Sequence, residues 1–195
     1  MTERERIVFL LNQAADRYGV DRRFIHSIAH IESRHRHFVS GNVIQSRVGA
    51  LGVMQLMPAT AAGLGVNPIN MEDNIEGGVR YFRQRLDLAG GDVPTAIAMY
   101  YAGIGNVRQR GALQWPGVQT YIRNFQGLVN SPSILAMARD GEQARDGEQV
   151  RPELPTVTPI VPTGHGISLN TEIPQGVNFL VIALVVIVLI GLLFL

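Results

Sequence analysis

The apolar positions of the first 130 residues recur at helical rather than strand spacing. Across residues 3–18, Ile7, Val8, Leu10, Leu11, Ala14, Ala15 and Tyr18 share one face, and Gly19 closes the run. Asp21 is placed to cap a second helix, RRFIHSIAHIES, whose stripe is Ile25, Ile28 and Ala29 at i, i+3 and i+4. A loop bearing Gly41, Asn42, Gly49 and Gly52 follows, and Pro58 suits the first turn of a short helix through Ala62. A longer helix is expected from Asn74 to Ala89, with Ile75, Val79, Phe82 and Leu86 facing inward. Asp92 caps the next, which stops at Gly103, and an aromatic-bearing helix follows from Trp115. No segment holds a convincing period of two. The expectation is an all-α head over residues 1–130, built of roughly five to seven helices.

After Asn130 the pattern changes. Residues 138–149 are a tandem hexapeptide, ARDGEQ ARDGEQ, and residues 151–174 carry Pro152, Pro155, Pro159, Pro162 and Pro174 with little to bury. Residues 131–176 are therefore expected to be a disordered, proline-rich tether. At about 3.1 Å per residue it would reach on the order of 140 Å if fully extended. The segment Val177–Leu195 has Asn178 as its one polar residue and no charge. As a helix it spans roughly 28 Å, close to the hydrocarbon core of a bilayer at about 30 Å. A single C-terminal transmembrane helix is the expectation. The N-terminus, charged from the start and amphipathic, does not read as a secretory signal, so the chain is expected to be tail-anchored.

Charge and composition exclude several chemistries. The net charge is +1, which argues against a nucleic-acid partner. The first 130 residues hold 14 arginines against 10 acids and the rest 3 against 6, a weakly basic head suited to an anionic polymer. There is no cysteine and no lysine, so disulfides, thiolate nucleophiles and lysine Schiff bases are ruled out.

The candidate chemistry begins at Glu32, the next position on the stripe of the second helix, at i+7 from Ile25. A carboxyl there lies at the border of the core and near a helix C-terminus. Both disfavour its charged form and suit it to general acid catalysis. On this helix alone, a rim glutamate paired with Arg34 or Arg36 is the simpler reading. Its company changes that. Ile31-Glu32-Ser33 is followed by SRVGALGVMQLMPATA over residues 46–61, then by Asn74-Ile75 with Gly77-Gly78, then by MYYAGIGNV over residues 99–107. In content and order these motifs resemble the soluble lytic transglycosylase catalytic domain, related to the lysozyme fold, over residues 8–126.

The resemblance implies a lysozyme-like helical domain that cuts peptidoglycan glycan strands, with Glu32 as its lone catalytic residue and no cofactor or metal. It implies that Ser46, Gln55, Met57, Tyr100 and Tyr121 line the sugar cleft, with the Tyr100 hydroxyl near the acid. Each also has a plainer role: Gln55 bonding loop backbone, Ser46 capping a turn, Met57 and Tyr100 packing in the core. Two features depart from the family. Tyr101 stands where the family motif has Asn, and the loop from Glu32 to Gly49 is longer. His26 and His30 sit at i, i+4 but lack the glutamate of a zincin pair, since Ser27 follows the first of them, and they read as a surface pair. His35 and His37 fall in a charged loop open to solvent.

A wall-cutting head on a tether and anchor resembles the arrangement of bacteriophages with an internal membrane. That implies a virion enzyme for genome delivery, with virion membrane proteins as possible partners. Two alternatives remain open here: a bacterial tail-anchored enzyme serving a secretion machine, and a non-catalytic glycan-binding membrane protein.

Overall fold

The computed structural model describes residues 1–140. Helix α1 (Glu3–Arg17) starts at a reciprocal cap: the Thr2 hydroxyl accepts from the Glu5 amide, and the Glu5 carboxylate accepts from the Thr2 amide. Helix α2 (Arg22–Ser33) is capped by Asp21, whose side chain accepts from the Arg23 amide. It ends where Arg34 turns left-handed, at φ 58°. Helix α4 (Met71–Leu88) begins three residues before the expected start, because Asn70 rather than a later residue caps it and accepts from the Asp73 amide at 2.9 Å. Short α3 (Pro58–Leu64), α5 (Val93–Ala102) and α7 (Pro116–Val129) each carry proline in the first turn, where no amide is missed. Helix α6 (Ile104–Gln109) and a 3-10 turn at Ala112–Gln114 connect α5 to α7.

The core lies between α1, α2, α4, α5 and α7. Ile7, Leu11, Ile25, Ile28, Met54, Val79, Phe82 and Ile97 are all fully buried in it. Three findings differ from the sequence reading. A two-residue hairpin, β1 (Phe38–Val39) with β2 (Asn42–Val43), interrupts the helices. Its strands are too short to show a period, and its turn is made by Ser40 and Gly41, both at positive φ. The packed head also continues past Asn130. Helix α8 (Pro132–Arg139) buries Ile134 and Met137 against Val8, and Asn12 donates from Nδ2 to the carbonyls of Met137 and Asp140.

The third difference concerns the histidines. His26, His35 and His37 are buried, not exposed. With the Asn12 amide nitrogen spent on α8, its Oδ1 accepts from His26 Nε2 at 2.9 Å. The bare His26 Nδ1 then accepts from His35 Nε2 at 3.2 Å. His37 Nε2 donates to the Ile69 carbonyl at 2.8 Å, and His37 Nδ1 faces the Val53 amide at 3.3 Å. His26 and His37 thus have a partner on each ring nitrogen, which satisfies them inside a helical core, whereas His35 Nδ1 is buried without one among the described residues.

Among the described residues no helix is long and apolar enough to cross a membrane. Most of the hexapeptide repeat, the proline-rich stretch and residues 177–195 lie outside them.

Candidate active site

Glu32 sits in the last turn of α2, half-buried, beyond the stripe of Ile25, Ile28 and Ala29. The hydroxyl of Tyr121, from α7, donates to Glu32 Oε1 at 2.5 Å. Burial pushes the Glu32 carboxyl up to about 7, and the Tyr121 hydrogen bond pulls in the opposite, weaker sense. Among the described residues, no second carboxylate is one of the groups that shift it. Tyr121 occupies Oε1, so Oε2 is the oxygen free to carry a transferable proton. Tyr121 and Tyr100 are themselves held well above the usual phenol range, first by burial and then by the negative charge of Glu32. Both therefore remain donors wherever Glu32 titrates.

Tyr100, on α5, packs edge-on against Tyr81 and Phe82 and donates its hydroxyl to the Met54 carbonyl at 2.7 Å. The hydroxyl that reaches the acid directly is thus that of Tyr121. Tyr100 instead ties α5 to the loop carrying the glycine-rich motif.

That loop, residues 49–57, is clamped on α4. Asn74 is fully buried: its Oδ1 accepts from the Met54 amide at 2.9 Å, and its Nδ2 donates to the carbonyls of Leu51 and Pro68. His37 supports the same turn through the Val53 amide. Gly52, at φ 73°, lies so close that a Cβ would stand 2.6 Å from Asn74 and 2.7 Å from His37. A Cβ on Gly78 would stand 2.4 Å from that of Met54. These close approaches are the physical content of the spacing between the glycine-rich motif and the Asn74-to-Gly78 motif.

The remaining cleft candidates occupy this framework without a hydrogen bond to Glu32. Gln55 takes a left-handed φ of 47° and donates to the Gly52 carbonyl at 2.8 Å. Ser46 accepts from the Ala50 amide at 3.0 Å, as a turn cap does. Met57 is 41% exposed at the head of α3, so it is not core packing. Sequence reasoning missed the braces. His37 gave no signal, while Asn74 was visible in a motif but without a role. Tyr101, noted as a departure, stacks on Tyr121 with ring centroids 4.7 Å apart and planes at 28°.

Residues 9–115 match the family described as the transglycosylase SLT domain. The chain is 42% identical over 95 residues to a transglycosylase of Enterobacteria phage PRD1, covering 48% of this chain and 33% of that protein. It is 36% identical over 110 residues to the membrane-bound lytic murein transglycosylase F of Desulfosudis oleivorans, covering 51% of this chain and 22% of that protein. The chain thus spans a third or less of the length of these relatives. Among solved structures, the 70 kDa soluble lytic transglycosylase of Escherichia coli superposes with a TM-score of 0.55 at 22% identity, over 67% of this chain and 24% of that one. An inactive mutant of the lytic transglycosylase Slt from Pseudomonas aeruginosa gives 0.50 at 24% identity, over 72% and 24%. These likenesses show a shared, mostly helical, lysozyme-like fold.

Proposed function

From the premise that the chain belongs to the transglycosylase SLT domain family, we propose that it is a lytic transglycosylase of bacterial peptidoglycan with Glu32 as sole acid and base. The observation that carries this reading is a carboxyl, raised to about 7 by burial, that accepts from the Tyr121 hydroxyl and has no carboxylate partner among the described residues.

In the proposed reaction, protonated Glu32 gives its proton to the glycosidic oxygen between N-acetylmuramic acid and N-acetylglucosamine, and the bond from that oxygen to the anomeric carbon breaks. The N-acetyl oxygen of the muramic acid supports the anomeric carbon from the opposite face. Glu32, now a carboxylate, takes the proton of the 6-hydroxyl as that oxygen bonds the anomeric carbon and displaces the N-acetyl group. A 1,6-anhydro ring closes, no water is consumed, and Glu32 ends protonated as it began. A group that must give and then recover a proton works best with a pKa near the ambient pH. Attack from within the same sugar also gains from an effective molarity of about 10⁵ M or more. A hydrolase of the paired type would need a second carboxylate roughly 5–9 Å away.

Mass spectrometry of digested peptidoglycan tests the reaction. Anhydro-muropeptides, lighter by one water than the hydrolytic products, are expected to dominate. Reducing ends open to borohydride as the main product would replace this reading with a lysozyme-type hydrolase.

For the whole molecule we propose a head, a tether and a single membrane anchor at residues 177–195, carried in a virion membrane and used for local wall opening during genome delivery. Its support is the uncharged apolar run and the likeness to a phage transglycosylase. The likeness to membrane-bound bacterial enzymes supports the second reading, a wall-remodelling enzyme in a bacterial membrane. Co-purification with virions rather than with host membranes separates the two.

A further inference from the structure

We infer that Tyr101 forms an aromatic wall of the glycan cleft beside Glu32, its open face packing against the C–H face of a pyranose ring of the bound strand. The inference rests on the reading of the site as glycan-cutting and adds a specificity-determining residue at a position where the family motif has Asn. Tyr101 follows Tyr100 on α5 but points the other way: Tyr100 is buried, while Tyr101 is 51% exposed. One face of the Tyr101 ring lies on Tyr121, at 4.7 Å and 28°. Tyr121 in turn donates to Glu32. The Tyr101 ring is therefore linked to Glu32 through one intervening ring, that of Tyr121.

The bed on which Tyr101 lies is shaped for it. Gly117 and Tyr121 are at i, i+4 on α7, hence on one face of that helix. A Cβ on Gly117 would stand 3.3 Å from the Tyr101 hydroxyl oxygen and 3.8 Å from the ring. The ring thus spans one turn of α7 from Tyr121 to Gly117, and the missing side chain at 117 leaves room for its hydroxyl end. Such a bed holds the ring flat and spares a ligand the cost of ordering it. A tyrosine supported from beneath and bare above offers an electron-rich face, to which the weakly positive C–H bonds of a sugar ring are attracted. The Asn of the family motif has no such face.

The test measures steady-state cleavage of soluble, peptide-free glycan strands by wild type, Tyr101→Ala, Tyr101→Asn, Tyr101→Phe and Tyr101→Trp. A parallel arm measures binding of the same strands by each variant combined with Glu32→Gln. Because the open face is lost, Ala and Asn should raise KM and Kd by roughly fivefold or more with kcat within about twofold, the signature of lost uniform binding. Phe and Trp should hold both constants within about twofold of wild type. Ala leaving KM and Kd unchanged would overturn the inference. So would Phe weakening binding as much as Ala, which would make the hydroxyl the contact. A fall in kcat with KM unchanged would overturn it too, leaving Tyr101 as a prop for Tyr121. If wild type releases no product, the proposed reaction fails, and the binding arm alone decides the role of Tyr101.

Discussion

At the scale of single residues, the proposed chemistry turns on one carboxyl and the phenol that touches it. Glu32→Gln keeps the shape and loses the proton, so cleavage should fall by about 10²-fold or more, as expected for loss of a general acid–base group. The same variant should melt no lower than wild type at pH 8. A carboxyl whose folded pKa is raised from 4.5 to about 7 opposes folding as pH climbs through that range, and the amide removes the opposition. Retention of more than a few per cent of activity would assign the chemistry to another group. In the proposed reaction Glu32 must be protonated at the start, so activity should decline as pH rises past about 7. Tyr121→Phe removes the hydrogen bond that lowers the Glu32 pKa, and the alkaline limb of the pH–rate profile should move to higher pH. Movement to lower pH would contradict the reading of that bond. Glu32 stands out in the sequence as a candidate because the motifs follow it in order. Its partner stands out less, since nothing local to Tyr121 marks it as the group that reaches α2.

At the scale of elements, the buried histidines couple α2 to α1 and α8, and they make the fold sensitive to acid. Burial holds His26 down to about 4 and His35 to about 3. The positive charge of Arg22 adds to the first effect; Arg4, His26 and His30 add to the second. Both rings are neutral in the fold but take protons in the unfolded chain below about 6.5, so stability is complete above that pH and drains away as pH falls towards 4. The loss deepens with each step of pH below about 6.5, and the two hydrogen-bonded rings share it. Thermal melts should therefore drop steeply between pH 7 and pH 5, and His35→Leu should flatten that slope whatever it does to the melting temperature at pH 7. An equally steep slope in the variant would place the acid sensitivity elsewhere. The helices themselves were readable from periodicity and caps, because Asp21, Asp92 and Pro58 act locally. The histidine chain was not, because it depends on Asn12 in α1 facing His26 in α2, a tertiary meeting that neither helix signals. The head extends past Asn130 for a related reason. The apolar residues of α8, Ile134 and Met137, are few, and their burial against Val8 follows from packing rather than pattern.

At the scale of the whole molecule, the head is expected to work without the rest of the chain, but only if α8 is kept. A chain ending at Asp140 should be soluble, helical by circular dichroism and active on isolated wall. One ending at Asn130 loses the burial of Ile134 and Met137 and strips the Asn12 amide of both acceptors, and should be less stable by roughly 2–4 kcal/mol. Equal melting temperatures for the two would show that α8 adds nothing. The full-length chain should partition into detergent, as the apolar run at 177–195 leads us to expect; recovery in the aqueous phase would remove the anchor from the proposal. The bond between Tyr121 and Glu32 closes 89 residues of chain, and that span has a meaning in time. During synthesis Glu32 leaves the ribosome long before Tyr121 exists. In the unfolded nascent chain it is a solvated carboxylate with its ordinary pKa of 4.5, ionised and unable to protonate a sugar. On the proposed reaction an unfinished chain is therefore chemically silent, and the power to cut a wall arrives only when the head is nearly complete.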